Sequence, residues 1–190
     1  MARDTFALFL SGDGGWAGLD KKVAAEMAGQ GVPVVGLDSL RYFWRKRTPE
    51  GLARDLDRMA RYYAARWKRS RVVLVGYSQG ANALPAAVNR LPEASRRRVA
   101  QVVLIGLEHK VSWQFHLSNW IGAPVEAQPI LPEASKLSAG ATLCIYGEGD
   151  GGALCPELPA ESVTALQMPG GHHFNGAYDQ LAARILARLD

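Results

Sequence analysis

The sequence predicts an α/β fold, a mainly parallel central sheet with helices on both faces. Short strand-like runs alternate with helical patterns from one end to the other. Those runs are apolar at successive positions, as expected of strands buried on both faces by crossover helices. The chain has 190 residues, of which 48% are hydrophobic and 21% charged. A domain of that size buries roughly 70% of the surface its unfolded chain exposes, enough for a self-supporting core. Neither a repeat nor a linker-like tract interrupts the alternation, so residues 1–190 read as one domain. No run approaches the roughly 18 apolar residues of a membrane-spanning helix.

The first strand runs from Thr5 to Leu10 and stops at the glycine-rich Ser11-Gly12-Asp13-Gly14-Gly15. A helix over Leu19 to Gln30 ends at Gly31. Val32 to Leu37 is the second strand, and Pro33, which cannot donate to a ladder, marks a strand start or a sheet edge. Thr48-Pro49-Glu50 supplies a capping hydroxyl, a proline at the first helical position and an acid in the first turn. Leu52, Leu56, Met59, Tyr63 and Trp67 then share one helical face, which reads as core packing. Val72 to Val75 is a continuous β-branched and aliphatic strand, interrupted by Gly76-Tyr77-Ser78-Gln79-Gly80 before a helix over Ala81 to Asn89. Gln101 to Leu107, Ala141 to Gly147 and Thr164 to Met168 are further strands. Leu181, Ile185 and Leu189 give the last helix, Tyr178 to Leu189, its apolar face.

The net charge is +4 and the isoelectric point about 9.2. Arginines cluster at Arg41 to Arg47, Arg54 to Arg71 and Arg90 to Arg98. This balance favours anionic partners, phospholipid surfaces among them, while a solvated basic face accounts for any single cluster. No RNA-binding signature or zinc-finger spacing accompanies the charge, so nucleic acid is not an expected partner. The two cysteines, Cys144 and Cys155, lack a CxxC spacing. Their separation is compatible with a disulfide and equally with two separate thiols. Met1 runs almost directly into the first strand without a signal peptide, the pattern of a cytoplasmic or a trimmed chain.

The sharpest chemical signal is the pentapeptide Gly76 to Gly80, of G-x-S-x-G form, between a buried strand and a helix. A serine nucleophile there occupies a strained turn, and flanking glycines remove the Cβ atoms that would clash with strand and helix. Such a serine needs a base, and the base needs an acid to orient it. Gly170-Gly171-His172-His173-Phe174 follows the last strand, at the sheet edge where a base is required. His172, directly after the glycine pair, is the first candidate and His173 the second; His109 and His116 read as ordinary polar residues. An adjacent histidine pair is also a fragment of a metal site, but no third ligand clusters with it, so neither a metal nor an organic cofactor is expected. Asp150, after the strand ending at Tyr146, is the candidate acid, with Glu148 in reserve.

The resulting order Ser78, Asp150, His172 is the chain order of α/β-hydrolases, here in a compact version without a large cap. Gln79 N–H, with an N–H of Asp13 or Gly14 in the first glycine-rich loop, is the expected oxyanion hole. The same loop, Gly12-x-Gly14-x-x-Ala17 with Asp38 further on, also fits a dinucleotide-binding fingerprint. That alternative leaves the serine, histidine and aspartate unexplained.

With these residues placed, the sequence resembles the VirJ/AcvB family of bacterial virulence proteins, within the α/β-hydrolases. The resemblance rests on Ser11 to Trp16, on Asp38-Ser39-Leu40-Arg41-Tyr42-Phe43-Trp44 with Arg47-Thr48-Pro49-Glu50, on Gly76 to Ala81 and on Gly170 to Phe174. It implies a periplasmic serine ester hydrolase acting on aminoacylated phosphatidylglycerol, notably the lysyl form. It also implies a Cys144–Cys155 disulfide and possible secretion-system partners. The additional N-terminal domain of longer members is not in this sequence. For such a substrate, Arg41, Arg45, Lys46 and Arg47 are candidates to grip the lipid phosphate, and Trp16 is a further candidate substrate contact. Glu108 and Asp13 are positional candidates for the cationic head. The segment Trp113, Phe115, Leu117, Trp120 and Ile121 fits either peripheral contact with a membrane interface or core packing.

Overall fold

The computed structural model describes residues 4–115 and 127–189. Eight strands occur among them, β1 (Thr5–Leu10), β2 (Val34–Leu37), β3 (Arg71–Tyr77), β4 (Val99–Ile105), β5 (Lys110–Ser112), β6 (Ala127–Pro129), β7 (Thr142–Gly147) and β8 (Thr164–Met168). The helices are α1 (Gly18–Gly29), α2 (Ser39–Tyr42), α3 (Pro49–Trp67), α4 (Gln79–Val88), α5 (Glu93–Arg96), α6 (Leu131–Ala134) and α7 (Tyr178–Leu186).

Six strands form one sheet in the order β2-β1-β3-β4-β7-β8, and every pairing in it is parallel. Alternation along each strand divides the interior in two. Phe6, Leu8, Leu10, Leu74, Leu104 and Cys144 face the layer built with α3 and α4. Ala7, Phe9, Val73, Val75, Val103 and Ile145 face the layer built with α1 and α7. Both faces are covered, which is why the strand sequences read as continuous apolar runs.

Thr48 caps α3 by accepting from Gly51 N at 3.0 Å. The predicted stripe continues along that helix, Leu52 and Leu56 fully buried, Met59, Tyr63 and Trp67 packing at the margin. Pro33 stands just ahead of β2, an edge strand, as its missing N–H requires. The β5–β6 antiparallel pair is an addition that the sequence did not announce.

Trp113 is 6% exposed and packs with Phe115 around the buried ring of Phe43. These two aromatics therefore take the core-packing alternative; Leu117, Trp120, Ile121 and His116 lie outside the described residues. No helix among the described residues is long and apolar enough to cross a membrane.

The strand order locates the site. From β1 the chain moves outward to β2, and β3 then starts the other half of the sheet on the opposite side of β1. The loops leaving the carboxyl ends of β1 and β3 diverge at this reversal, and a crevice opens between them. One loop carries Gly12 to Ala17 and the other carries Ser78.

Candidate active site

Ser78 sits at φ 49° and ψ −114°, between the end of β3 and the start of α4. That conformation is costly for a residue with a Cβ and persists only where its surroundings enforce it. Two glycines permit the turn. A Cβ on Gly76 would lie 2.5 Å from Ala81 N, and one on Gly80 would lie 2.2 Å from Leu10 O. The Gly80 N–H donates to Ser11 O at 3.1 Å, and Ser78 N–H to Ile105 O at 2.9 Å, fastening the elbow to the ends of β1 and β4. All ten residues of α4 behind it are buried. Ser78 itself is partly exposed, and its Oγ makes no hydrogen bond among the described residues.

Asp150 and His172 are brought together by the loops after β7 and β8. Glu148 N–H donates to Met168 O and Gly149 N–H to Gly170 O, each at 2.8 Å, so the two loops continue the ladder of their strands. Gly147 allows this approach, since a Cβ there would meet Gly171 O at 2.2 Å. Within the frame, His172 Nδ1 lies 2.8 Å from Asp150 Oδ2. A carboxylate can only accept, so Nδ1 carries the proton and Nε2 is left as the basic nitrogen. The imidazole rests on Gly106, where a Cβ would come within 2.8 Å of Cε1.

His173, the second candidate, is exposed and bonds through Nδ1 to the Tyr77 hydroxyl at 2.8 Å. Glu148, the reserve acid, is also exposed, and Asp150 is the carboxylate beside the imidazole. Tyr77 was not singled out by the sequence. Its ring is buried beneath the site, and its hydroxyl also donates to His172 O at 3.3 Å, tying the histidine loop to the residue before the serine. Burial, followed by the charges of Asp20, Tyr178, Asp13 and Asp150, raises the phenol well above its ordinary range, so it stays protonated.

Cys144 of β7 and Cys155 form a disulfide with Cα atoms 5.7 Å apart. Both are buried, and the bridge closes the loop that carries Asp150.

The serine, His172 and the first glycine-rich loop line one cleft of about 420 Å³. In that loop Gly15 N–H donates to Gly12 O at 3.2 Å, leaving Asp13 and Gly14 at the exposed tip of a turn. A Cβ on Gly12 would lie 3.7 Å from Ser78 Cβ, which places the loop directly beside the serine. Gln79, first residue of α4, contributes an N–H with no intrahelical acceptor, while its side chain donates to Ser112 O at 2.7 Å. Glu108 reaches the cleft from beyond β4, its carboxylate accepting from Asn82 Nδ2 at 2.7 Å.

The lining also holds Asp20, a residue that sequence reading missed. Its carboxyl is 3% exposed, and Oδ1 has no hydrogen-bond partner. Burial pushes it up to about 7, against the opposing pull of the Ala17, Gly12 and Asp20 amides facing it, and Asp38 adds to the rise. The only sequence signal was an acid in the first turn of a helix, which ordinarily marks helix capping.

The proposed phosphate ligands lie elsewhere. Arg41 is exposed beside Asp38, with Nε 3.7 Å from Oδ2, and Arg45 is exposed on the following turn. Arg47 stacks 4.2 Å from the centre of the Tyr42 ring and donates to Tyr42 O at 2.8 Å. Neither these arginines nor Lys46 lines the cleft. Trp16 is outside the lining too, packed edge-on against Phe9 at 5.5 Å and covering Gly36. Asp38 caps α2 by accepting from Arg41 N at 3.1 Å. No cluster of three or more metal-ligating side chains occurs among the described residues.

A hydroxyl on a strained elbow, an imidazole oriented by a carboxylate and amides at a helix start are the groups that nucleophilic acyl transfer uses. No curated protein matches the sequence. Among solved structures, a lidless α/β serine hydrolase from Xanthomonas campestris superposes with a TM-score of 0.59 at 16% identity, over 96% of this chain and 80% of that one. The RedJ thioesterase of the prodiginine pathway in Streptomyces coelicolor gives 0.62 at 16%, over 99% and 87%. Est1E from Butyrivibrio proteoclasticus gives 0.63 at 11%, over 100% and 90%. At such identities the likeness establishes the α/β-hydrolase fold. The profile of the bacterial virulence protein VirJ matches residues 4–190, and the chain belongs to the VirJ family.

Proposed function

We propose that the protein is a serine hydrolase that cleaves the aminoacyl ester of aminoacylated phosphatidylglycerol. The observation that carries the reading is the His172–Asp150 pair, 2.8 Å apart, in the cleft that also holds Ser78. Ser78 Oγ attacks the ester carbonyl as His172 Nε2 takes its proton. Asp150 holds the ring tautomer and stabilises the imidazolium that forms. The oxyanion gathers at Gln79 N–H and an N–H of the Asp13–Gly14 turn. His172 then returns the proton to the departing glyceryl oxygen, and water, activated by the same imidazole, releases the amino acid from Ser78. Serine-to-imidazole contacts are commonly loose before substrate arrives and tighten in the Michaelis complex, consistent with the unpartnered Oγ.

Family membership supports the lipid substrate class, and the buried disulfide favours an oxidising compartment, in keeping with the periplasm. Trp44, 54% exposed between Arg41 and Arg45, offers a peripheral contact for an anionic lipid surface. The phosphate would meet the arginines at that surface rather than in the cleft.

Treatment with a fluorophosphonate, read by intact mass beside Ser78→Ala, tests the chemistry. One adduct on the parent and none on the variant is expected, followed by release of lysine from lysyl-phosphatidylglycerol vesicles. An unlabelled, folded parent overturns the enzyme reading in favour of a binding scaffold, for example one for secretion-system proteins. Labelling with turnover of simple esters or thioesters but not of the aminoacyl lipid overturns the substrate alone.

A further inference from the structure

The cleft has a charge character opposite to that of the chain. The protein carries a net +4, yet among the described residues the ionisable groups lining the cleft are Asp13, Asp20, Glu108, Tyr77, Tyr178 and the two histidines, with no lysine or arginine. The Lys22 ammonium lies outside this lining, over the Tyr178 ring at 5.4 Å. Asp13 and Glu108 are exposed, and Glu108 is held by Asn82. Asp20 differs from both. It comes from the first turn of α1, is almost wholly buried, and keeps an acceptor oxygen that nothing in the described protein fills.

A buried acceptor left open is destabilising in the free protein, and among the atoms so placed here Asp20 Oδ1 belongs to a residue that lines the cleft, where a ligand can complete it. The missing partner must be a donor, and the surrounding carboxylates add that it is cationic. We infer that Asp20, with Asp13 and Glu108 at the rim, forms a subsite for the primary ammonium group of an acyl chain whose carbonyl sits at Ser78.

The geometry suits an aminoacyl ester, in which an ammonium lies a few bonds from the scissile carbonyl. Its N–H groups would satisfy Oδ1, and its charge would offset the desolvated carboxylate, a pairing worth far more inside a cleft than on a surface. An N-acylated or simple fatty acyl chain would leave Asp20 unpaired, and this is the asymmetry by which polar sites reject analogues that lack the group they bind. The inference rests on the ester-hydrolase reading for the placement of the carbonyl. It assigns the acyl specificity to this chain's own residues.

The test is binding rather than turnover. Ser78→Ala protein is titrated at pH 7.5 with lysine methyl ester and with its Nα,Nε-diacetyl form. The free amine is expected to bind about tenfold or more tightly than the acetylated ester. Adding Asp20→Asn is expected to remove most of that preference, and Asp13→Asn with Glu108→Gln to reduce it two- to threefold. Equal binding of the two esters by the Ser78→Ala protein overturns the inference, and that result needs no Asp20 variant. A preference that survives Asp20→Asn overturns it as well. So does an equal loss of both ligands, which marks a role in shaping the loop. Hydrolysis is read separately through fluorophosphonate labelling of the parent, so an inert serine with an intact amine preference would sink the enzyme and leave the subsite standing.

Discussion

Strand β1 has an aspartate near each end, and the two are handled in opposite ways. Asp4, just ahead of the strand, is exposed and fully engaged. Its carboxylate accepts from Ser70 N–H at 2.8 Å and from the Ser70 hydroxyl, which hold it below the ordinary carboxylate range. Arg69 closes the same edge, donating to Thr5 O at 2.7 Å and to Gly31 O at 3.0 Å. Asp20, in the helix after the strand, is buried, short of partners and pushed up to about 7. The backbone repeats the contrast. Lys68, near the amino edge, takes φ 53° and ψ 48°, a permitted left-handed helix cap, whereas Ser78 at the carboxyl edge takes ψ −114° at nearly the same φ. At one edge the aspartate is satisfied by its neighbours. The other keeps a strained serine and an open carboxylate, the liabilities that a working site retains at the expense of stability.

The largest expected effect is chemical. Ser78→Ala should abolish fluorophosphonate labelling and lower ester turnover by about 10⁴-fold or more, with its melting temperature little changed, since alanine keeps the Cβ that makes this backbone conformation costly. Asp150→Asn should keep the fold and lower kcat by about 10⁴-fold, since the amide offers His172 the wrong tautomer partner. Steady-state kinetics beside circular dichroism checks both. Gly80→Ala should act instead on the fold. A methyl group 2.2 Å from Leu10 O cannot be met by a rotamer change, and displacement of α4 from β1 should cost more than about 3 kcal/mol in urea unfolding. If Gly80→Ala unfolds like the parent, the elbow is looser than its contacts indicate.

How much of this was legible in the sequence follows the same division. Continuous apolar strands, the Thr48–Pro49 helix start and the glycine-flanked Ser78 are local signals, and the structure reproduces them within a few residues. Asp150 and His172 were legible because each directly follows a strand, so topology alone delivers them to one edge. Choosing His172 over its neighbour depends on Gly106 making room for one ring and on Tyr77 holding the other, contacts between chain segments that no spacing encodes. Asp20 was illegible for a related reason. An acid in a first helical turn is ordinary, and its burial beside the Gly12 and Ala17 amides is a tertiary contact that no spacing encodes. The arginines near position 45 show what spacing leaves out, which is their distance across the sheet from the cleft. They follow β2 as a phosphate grip would require, but β2 is the far edge strand, one strand removed from β3 and Ser78.

Replacing Asp20 tests the contrast energetically. A folded pKa near 7 against an unfolded value of 3.8 means that the native state holds a proton the unfolded chain has already lost. Stability should therefore fall as pH rises between these values and level off above 7, a loss on the order of 2–4 kcal/mol. Asp20→Asn removes that dependence, so its advantage over the parent should be small near pH 4 and grow to its full size by pH 8. Urea midpoints across the range measure it, and parallel curves for parent and variant would show that the carboxyl is hydrated. Reduction of Cys144–Cys155, or Cys155→Ser, should cost about 3 kcal/mol by the loop-entropy estimate and loosen the Asp150 loop more than the serine elbow. Hydrogen exchange of residues 148–154 against 78–82 separates the two.

Asp4→Asn should give the smallest effect and one of opposite sign in pH. A carboxylate whose pKa is lowered on folding adds stability above its unfolded value and loses it as pH falls through the folded one. Asparagine keeps an acceptor for Ser70 N–H and loses the charge near Arg69 and Arg71. The variant should thus melt slightly below the parent at neutral pH and match it near about pH 3, where the carboxyl of the parent is itself being protonated. Salt should shrink the neutral-pH difference, because the site is exposed and its Coulombic share is screened. Asp20 is shielded from that screening by burial. Urea midpoints of the two aspartate variants at low and high salt therefore divide a surface tie from a buried acceptor. Equal salt sensitivity at both would place Asp20 in open water and remove the distinction between the two edges.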